Sequence, residues 1–214
     1  MKKLIFTTII ITSAFFALYS LEVRAVTETC GETGNNSSSQ NNSSDRKVLS
    51  SCSPVSSGTL TSGVARVNLD AAGSSASKLV IYSSTLGEPD ALLATSDEVT
   101  ITNTTEEAIS YTFSGAEQIA ITSGTTYWVG IHYTDPGVPS VQVSRANTAN
   151  LLRSGSDTYS NGPANPCSCA VASNGAADIY FEYTVAGGVA STVAPKATLR
   201  SGTAVLKSGT LIIK

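Results

Sequence analysis

The chain has 214 residues, with 13 basic and 16 acidic side chains, one histidine and a formal net charge of −3. A mildly acidic chain lacks the electropositive surface by which proteins bind nucleic acids, and it carries no polybasic patch for anionic membranes. These properties favour a globular protein whose partners are neither nucleic acids nor lipid surfaces.

The first 25 residues have the three-part layout of a secretory signal peptide. Lys2 and Lys3 form a basic start, an almost wholly apolar or hydroxylic stretch runs from Leu4 to Leu21, and small residues precede a cleavage site predicted after Ala25. The alternative is an uncleaved helix, because the stretch is about long enough to cross a bilayer. We expect a secreted or cell-surface protein without a membrane span after cleavage.

The four cysteines are Cys30, Cys52, Cys167 and Cys169. In an exported chain an even number predicts two disulfides, and three pairings are open. Pairing Cys30 with Cys52 would leave a bridge across a single residue, which is tight for disulfide geometry. We therefore favour bridges from the two early cysteines to the two late ones. Zinc is the rival interpretation, but Cys-Ser-Cys lacks the usual ligand spacing.

Residues 26–57 are predicted to form a flexible arm. Within them, residues 31–47 are rich in Ser, Asn and Gly and have no apolar side chain to bury. Ordering such a segment would cost conformational entropy without a compensating gain.

Residues 58–185 are predicted to form an all-β domain. Apolar and polar residues alternate in short runs separated by Gly, Pro and Asp turn signals, and the run with most aromatic and β-branched residues is 127–133. About eight such antiparallel strands indicate a two-sheet sandwich of the jelly-roll type. The predicted core residues are Leu79, Ile81, Val99, Ile101, Tyr111, Phe113, Ile119, Ile121, Val129, Ile131, Ile179 and Phe181.

Residues 186–214 are predicted to be a small-residue linker followed by a β-repeat tail. Two seven-residue units, 200–206 and 207–213, each consist of a basic residue, Ser-Gly-Thr and three apolar residues. Two short strands bury little by themselves. We expect residues 197–214 to pair with the edge of the sandwich, with a neighbouring copy in self-association, or with another partner.

Several segments together carry a family resemblance. They are Gly87-Glu88-Pro89-Asp90-Ala91-Leu92-Leu93-Ala94-Thr95-Ser96, Gly124-Thr125-Thr126-Tyr127-Trp128-Val129-Gly130-Ile131, Asp157-Thr158-Tyr159-Ser160-Asn161-Gly162-Pro163 and Asp178-Ile179-Tyr180. In order and spacing they resemble a β-sandwich module of secreted bacterial and archaeal proteins and of some phage structural proteins. The resemblance covers about residues 58–185 and implies a jelly-roll, carbohydrate-binding-like domain outside the cell. It brings no catalytic residue.

Candidate ligand-binding residues are Trp128, His132, Tyr82 and Tyr133. Exposed aromatic rings can stack on the apolar face of a sugar. Alternation places Trp128 on the strand face opposite Val129 and Ile131, either exposed or under the loops. Asp135 and Asp157 are candidate calcium ligands, because loop carboxylates supply the hard oxygens that calcium prefers. No other cofactor is expected.

We expect a non-catalytic binding or adhesion module for a polysaccharide or a cell-surface glycan. The single histidine is not accompanied by a Gly-x-Ser-x-Gly motif, so an enzyme is not expected. The alternative is a structural subunit of an extracellular assembly whose tail adds a strand to a neighbour's sheet. A hydrolase is the third hypothesis, because paired carboxylates can cleave glycosides.

Overall fold

The computed structural model describes residues 25–34, 38–42, 45–134, 139–186, 198–199, 202–207 and 210–213. Contacts divide the chain into two units, one of which is Val26–Val185 and the other the remainder. Two 3₁₀ turns lie at Gly115–Glu117 and Tyr159–Asn161. The strands are β1 Val26–Gly31, β2 Ser38–Asn42, β3 Arg46–Cys52, β4 Gly58–Leu69, β5 Ser75–Thr85, β6 Glu88–Thr95, β7 Val99–Ile101, β8 Glu107–Thr112, β9 Ala120–Ile121, β10 Tyr127–Tyr133, β11 Val141–Ser156, β12 Ala170–Ala177, β13 Ile179–Val185, β14 Thr198–Leu199, β15 Gly202–Lys207 and β16 Thr210–Ile213.

The larger unit is an antiparallel β-sandwich, as the alternation predicts. One sheet has the order β1-β13-β4-β8, and the other has the order β12-β11-β3-β10-β5-β6. The long strand β11 connects them, because residues 141–143 pair with β4 while residues 152–156 pair with β3. This continuity gives the sandwich a closed side.

The core between the sheets follows the period-2 pattern. Ten of the twelve predicted core residues are buried in one cluster, and Val99 and Ile119 are half-buried against it. Strand β10 supplies Tyr127, Val129 and Ile131 to this cluster. Burial of such side chains stabilises the fold by about 1.5–3 kcal/mol each.

The prediction that residues 26–57 form a flexible arm is wrong for three of its segments. β1 pairs with β13, β2 pairs with β11, and β3 lies between β10 and β11. Val48 and Leu49 are fully buried in β3. The apolar partners that bury them lie far away in the sequence, so local composition gives no sign of the strand.

The cysteine pairing that we favoured is also wrong. The bonds join Cys30 to Cys52 and Cys167 to Cys169, with Cα–Cα distances of 5.7 and 5.4 Å. The first bond connects β1 of one sheet to β3 of the other. It is possible because β3 belongs to the sandwich, which brings Cys52 close to β1.

The second unit contains a small three-stranded antiparallel sheet with the order β14-β15-β16. Strands β15 and β16 come from the two sequence repeats and pair with each other from Ala204 opposite Ile213 to Lys207 opposite Thr210. Within the described part of the chain, no helix is both long and apolar enough to cross a membrane. The predicted leader, residues 1–25, lies outside the described residues apart from Ala25.

Removing the Cys30–Cys52 bond by Cys30→Ala/Cys52→Ala should lower the free energy of unfolding by about 3 kcal/mol, because the bond closes a long loop in the unfolded chain. Its partners are 22 residues apart, whereas Cys167 and Cys169 are 2 apart. The control Cys167→Ala/Cys169→Ala should cost about 1.5 kcal/mol. Urea unfolding followed by tryptophan fluorescence measures both losses. Equal losses would contradict the loop-length argument.

Candidate functional site

The outer face of β3, β10 and β5 carries an aligned row of large and charged side chains. In the strand register, His132 lies opposite Lys47 on one side and Lys78 on the other, and Trp128 lies opposite Tyr82. Alternate residues of a strand share a face. The row therefore points away from the main core, on the side where the alternation places Trp128.

A loop, residues 157–169, covers this face; we call it the covering loop. It is fixed through Ala164, whose carbonyl accepts a 2.9 Å hydrogen bond from the Tyr82 hydroxyl. It also bonds to β6, because the Leu92 amide donates to the Asn165 side chain at 3.0 Å and the Cys167 amide donates to the Asp90 carbonyl at 2.8 Å.

A second apolar cluster lies under the covering loop. It consists of Leu49, Val80, Tyr82 and Trp128, with the half-buried Leu92, Cys167 and Cys169 packed against it. Trp128 is 1% exposed. Cys167 and Cys169 thus cover this cluster with apolar surface from the covering loop. The spacing of the cysteines in the sequence does not reveal this role.

Beside the cluster lies a buried ion pair. The Lys47 ammonium is 2.9 Å from Asp157 Oδ2 and donates to the Tyr82 hydroxyl at 3.1 Å. It also lies 5.1 Å from the centre of the Tyr82 ring. Burial opposes ionisation of Asp157, but hydrogen bonds from Lys47 and the Ala164 amide outweigh it and hold the pKa of Asp157 below its ordinary value. Burial also raises the pKa of Tyr82, which keeps its hydroxyl protonated.

His132 lies next to this pair. Its Nε2 is 3.2 Å from the Asp157 carbonyl and 3.7 Å from Asp157 Oδ2, and its ring is 4.9 Å from that of Tyr159. Among the described residues, Nδ1 has no hydrogen-bond partner. Burial lowers the pKa of His132, against the opposing effect of Asp157, so the imidazole is neutral near neutral pH.

Two ion pairs border the covered face, and the first joins the buried Arg153 to the exposed Glu88. Arg153 donates two hydrogen bonds to Glu88, at 2.6 and 2.7 Å, and its guanidinium lies 5.4 Å from the Trp128 ring centre. The hydrogen bond from Arg153 lowers the pKa of Glu88. On the opposite side, Glu98 accepts a 2.9 Å hydrogen bond from the Tyr159 hydroxyl and lies 3.9 Å from Lys78.

The four aromatic and imidazole residues predicted to bind a sugar are buried. Tyr82, His132 and Trp128 converge under the covering loop, while Tyr133 lies on the other face in the main core. These four side chains therefore form no exposed stacking surface, and Trp128 takes the second of its two expected positions, under a loop. Alternation correctly separates Trp128 from the main core, but it carries no information about a loop that folds back over the strand.

Of the two predicted calcium ligands, Asp157 lies within the described residues. Asp157 contacts Lys47 and the Ala164 amide, and Asp135 lies outside the described residues. Within the described ranges, no three His, Cys, Asp or Glu side chains are grouped so that they could hold a metal ion.

An open cleft of about 390 Å³ lies at the other end of β3. It is lined by Gly31, Glu32, Ser50, Ser51, Cys52, Ser53, Thr126 and Ala176. The Ser53 and Thr126 hydroxyls are 3.2 Å apart, and Ser50 Oγ accepts a 2.7 Å hydrogen bond from the Ala177 amide. Sequence reasoning missed this site, because serines in a polar segment are typical of a loop until β3 is known to be a strand.

The cleft offers hydrogen-bonding chemistry of both kinds. Hydroxyl groups such as those of Ser51, Ser53 and Thr126 can donate and accept, and the Glu32 carboxylate accepts. Among the described residues that line the cleft, Glu32 is the only acid. Glycoside hydrolysis ordinarily uses two carboxyl groups, and the described lining supplies one.

The stability of the domain should fall as the pH drops below about 6.5, the ordinary pKa of histidine. Because the folded pKa of His132 is lowered, the unfolded chain binds a proton first, and the loss should approach about 1.4 kcal/mol per pH unit. His132 is the only histidine, so His132→Gln should remove this slope. Urea unfolding between about pH 8 and pH 5 measures it, and an unchanged slope in the variant would exclude His132 as its source.

Gly155→Ala should lift the covering loop. A Cβ at Gly155 would meet the backbone oxygen of Ser168 at 2.1 Å, whereas a Cβ at Gly162 would meet nothing within 4 Å. Gly162→Ala, which strains the backbone at φ 77° without a collision, is therefore the matched control. Acrylamide quenching of the single tryptophan should increase for Gly155→Ala and stay near the wild-type value for Gly162→Ala. Equal quenching in both would show that the close approach at Gly155 does not hold the loop.

Comparison with known proteins finds no matching family model and no matching curated protein. Among solved structures, the chain is similar to a chain in a structure of the infectious bursal disease virus Gx strain, with 10% sequence identity and a TM-score of 0.33. The match covers 77% of this chain and 42% of the viral chain. This chain thus spans less than half of the viral chain, and so distant a likeness carries no argument about function.

Proposed function

We propose that this chain is a secreted, non-catalytic β-sandwich module that binds a neutral glycan in the cleft beside Cys52. The observation that carries the proposal is the lining of that cleft, in which the hydroxyl residues Ser51, Ser53 and Thr126 border an opening of about 390 Å³. This volume is within the range of small-ligand sites, about 300–1,000 Å³.

A hydroxyl-rich ligand matches these groups. Each sugar hydroxyl both donates and accepts, as do the serine and threonine hydroxyls of the lining. The Glu32 carboxylate can accept from a sugar hydroxyl, and it would repel an acidic sugar. The net charge of −3 has the same effect, because it also favours neutral ligands over polyanions.

The position of the cleft also supports the proposal. Its walls come from the end of β1, the end of β3 and the residue before β10, and the Cys30–Cys52 bond holds the first two together. Sites on rigid elements keep their hydrogen-bonding groups in place, which lowers the entropic cost of binding. Secretion is supported by the leader-like residues 1–25 and by the two disulfides.

The test is a binding screen of the disulfide-bonded chain lacking residues 1–25 against neutral, amino and acidic glycans, with and without calcium. For a glycan that binds, Thr126→Val should weaken affinity about fivefold, because one hydrogen bond of about 1 kcal/mol is lost. Calorimetric titration measures the change. Thr112→Val, at an exposed position of β8 outside the cleft, is the matched control.

Equal affinities of the two threonine variants would place the ligand elsewhere on the domain. Glu32→Gln provides a second comparison, with Glu107→Gln as an exposed control. Only the cleft variant should change the relative affinities for neutral and acidic glycans. Absence of binding across the whole panel would reject the proposal.

The second candidate function is that of a structural subunit, and the specific observation in its favour is the small sheet of residues 198–213. Short sheets gain stability by pairing with further strands. On this hypothesis the chain forms higher oligomers that become monomers when residues 187–214 are deleted. Size-exclusion chromatography with light scattering distinguishes the two functions, and a monomer at every concentration would count against the structural one.

A further inference from the structure

Lys47 is an unusual lysine, because its side chain is fully buried on the covered face of β3. Lysine is almost never fully buried unless it is paired. Its ammonium is in contact with Asp157 Oδ2 at 2.9 Å and with the Tyr82 hydroxyl at 3.1 Å. The side chain of Asp157 is 13% exposed, so the pair is largely shielded from water.

The topology holds the two side chains in fixed positions. Lys47 is paired in register with Gly155 of β11, and Asp157 follows that strand by one residue. The Asp157 amide donates to the Asp45 carbonyl at 3.1 Å, and Asp157 Oδ2 accepts a 2.9 Å hydrogen bond from the Ala164 amide. An amine and a carboxyl group are thus kept in contact by backbone bonds on both sides of the pair.

We propose that Lys47 and Asp157 become joined by an intramolecular amide bond, so that this pair is a self-modification site of the chain. The bond would link the start of β3 to the start of the covering loop. This inference is independent of glycan binding, because none of the cleft residues takes part in it.

The reaction balances without an external reagent. A proton passes from the Lys47 ammonium to the Asp157 carboxylate across their contact, which gives an amine and a carboxylic acid. The Nζ lone pair attacks Cγ to form the C–N bond, and one carboxyl oxygen leaves as water with two protons, one from the acid and one from the amine. No atom is oxidised or reduced.

Neighbouring groups are placed to assist this step. The Ala164 amide donates to Oδ2, the oxygen that takes the Lys47 proton and leaves as water, and so holds the carboxyl group in place. The Nε2–H of the neutral His132 donates to the Asp157 carbonyl at 3.2 Å and fixes the backbone that carries the carboxyl group. The Tyr82 hydroxyl, 3.1 Å from Nζ, orients the amine.

Two physical arguments favour the amide over the ion pair. A buried ion pair carries a desolvation cost for each charge, and a neutral amide removes both charges. Groups held in contact react with effective concentrations of about 10⁵–10⁸ M, which compensates for the low reactivity of a carboxylic acid. The covering loop excludes the water that would reverse the reaction.

The experiment is intact-mass spectrometry of the folded, disulfide-bonded chain, followed by reduction and tryptic digestion. Apart from the four hydrogen atoms lost in the two disulfides, the mass of the wild-type protein should be one water molecule below the mass calculated from its sequence. Trypsin should then release residues 47–66 joined to residues 154–196, because an acylated Lys47 is not cleaved. Fragmentation of this branched peptide should locate the link at Lys47 and Asp157.

Lys47→Arg is the main control, because arginine keeps the charge and the hydrogen bonds of lysine without a comparable nucleophile. It should have the full mass, as should Asp157→Ala. A succinimide at an aspartate would also remove one water, but it would persist in Lys47→Arg. The full mass in the folded wild-type protein, or an equal loss of water in Lys47→Arg, would overturn the proposal.

Discussion

The structure depends on the burial of β10 on both of its faces. All seven residues of this strand are buried, although only one face meets the opposing sheet. The other face carries Trp128 and His132, which cannot be left in a solvent-facing row without exposing a large ring. The covering loop closes that face, and its attachments to β5 and β6 follow from this need.

Closing the face also explains the charge arrangement. Lys47 and His132 belong to the covered row because of strand register alone. A buried ammonium requires a partner, and Asp157, the first residue of the covering loop, supplies it at 2.9 Å. Asp157, which begins the covering loop, thus compensates the charge of Lys47 that this loop buries. Arg153 and Glu88 close the rim next to Trp128 in the same manner.

Local pattern was sufficient for strands such as β10 and insufficient for β3 and the covering loop. The alternation in 127–133 identifies Val129 and Ile131 as core and separates Trp128 from them, and the structure agrees. The burial of Val48 and Leu49 depends on β10 and β11. The residues with which they pair in these strands lie about 80 to 105 positions later in the chain. The burial of Trp128, in turn, depends on the covering loop around Ala164. Neither relation leaves a periodic signal in the sequence.

The cleft shows the same limit. Ser50, Ser51 and Ser53 have the composition of a linker, yet β3 places them beside Thr126. One strand therefore serves two regions: Leu49 lies in the apolar cluster under the covering loop, and the last residues of β3 line the open cleft. Aromatic residues are the usual sign of a sugar-binding surface, but the candidate aromatic residues of this domain are buried and stabilise the fold.

The attachment of the covering loop to β6 has a consequence for colloidal behaviour. An outermost strand with free amide and carbonyl groups is a template for intermolecular pairing and fibril growth. In this domain the Leu92 amide and the Asp90 carbonyl, at the margin of the second sheet, are already engaged by Asn165 and Cys167. The covering loop thus also occupies this edge of the second sheet. Intermolecular strand pairing at this edge is therefore disfavoured, even in a concentrated solution of the domain.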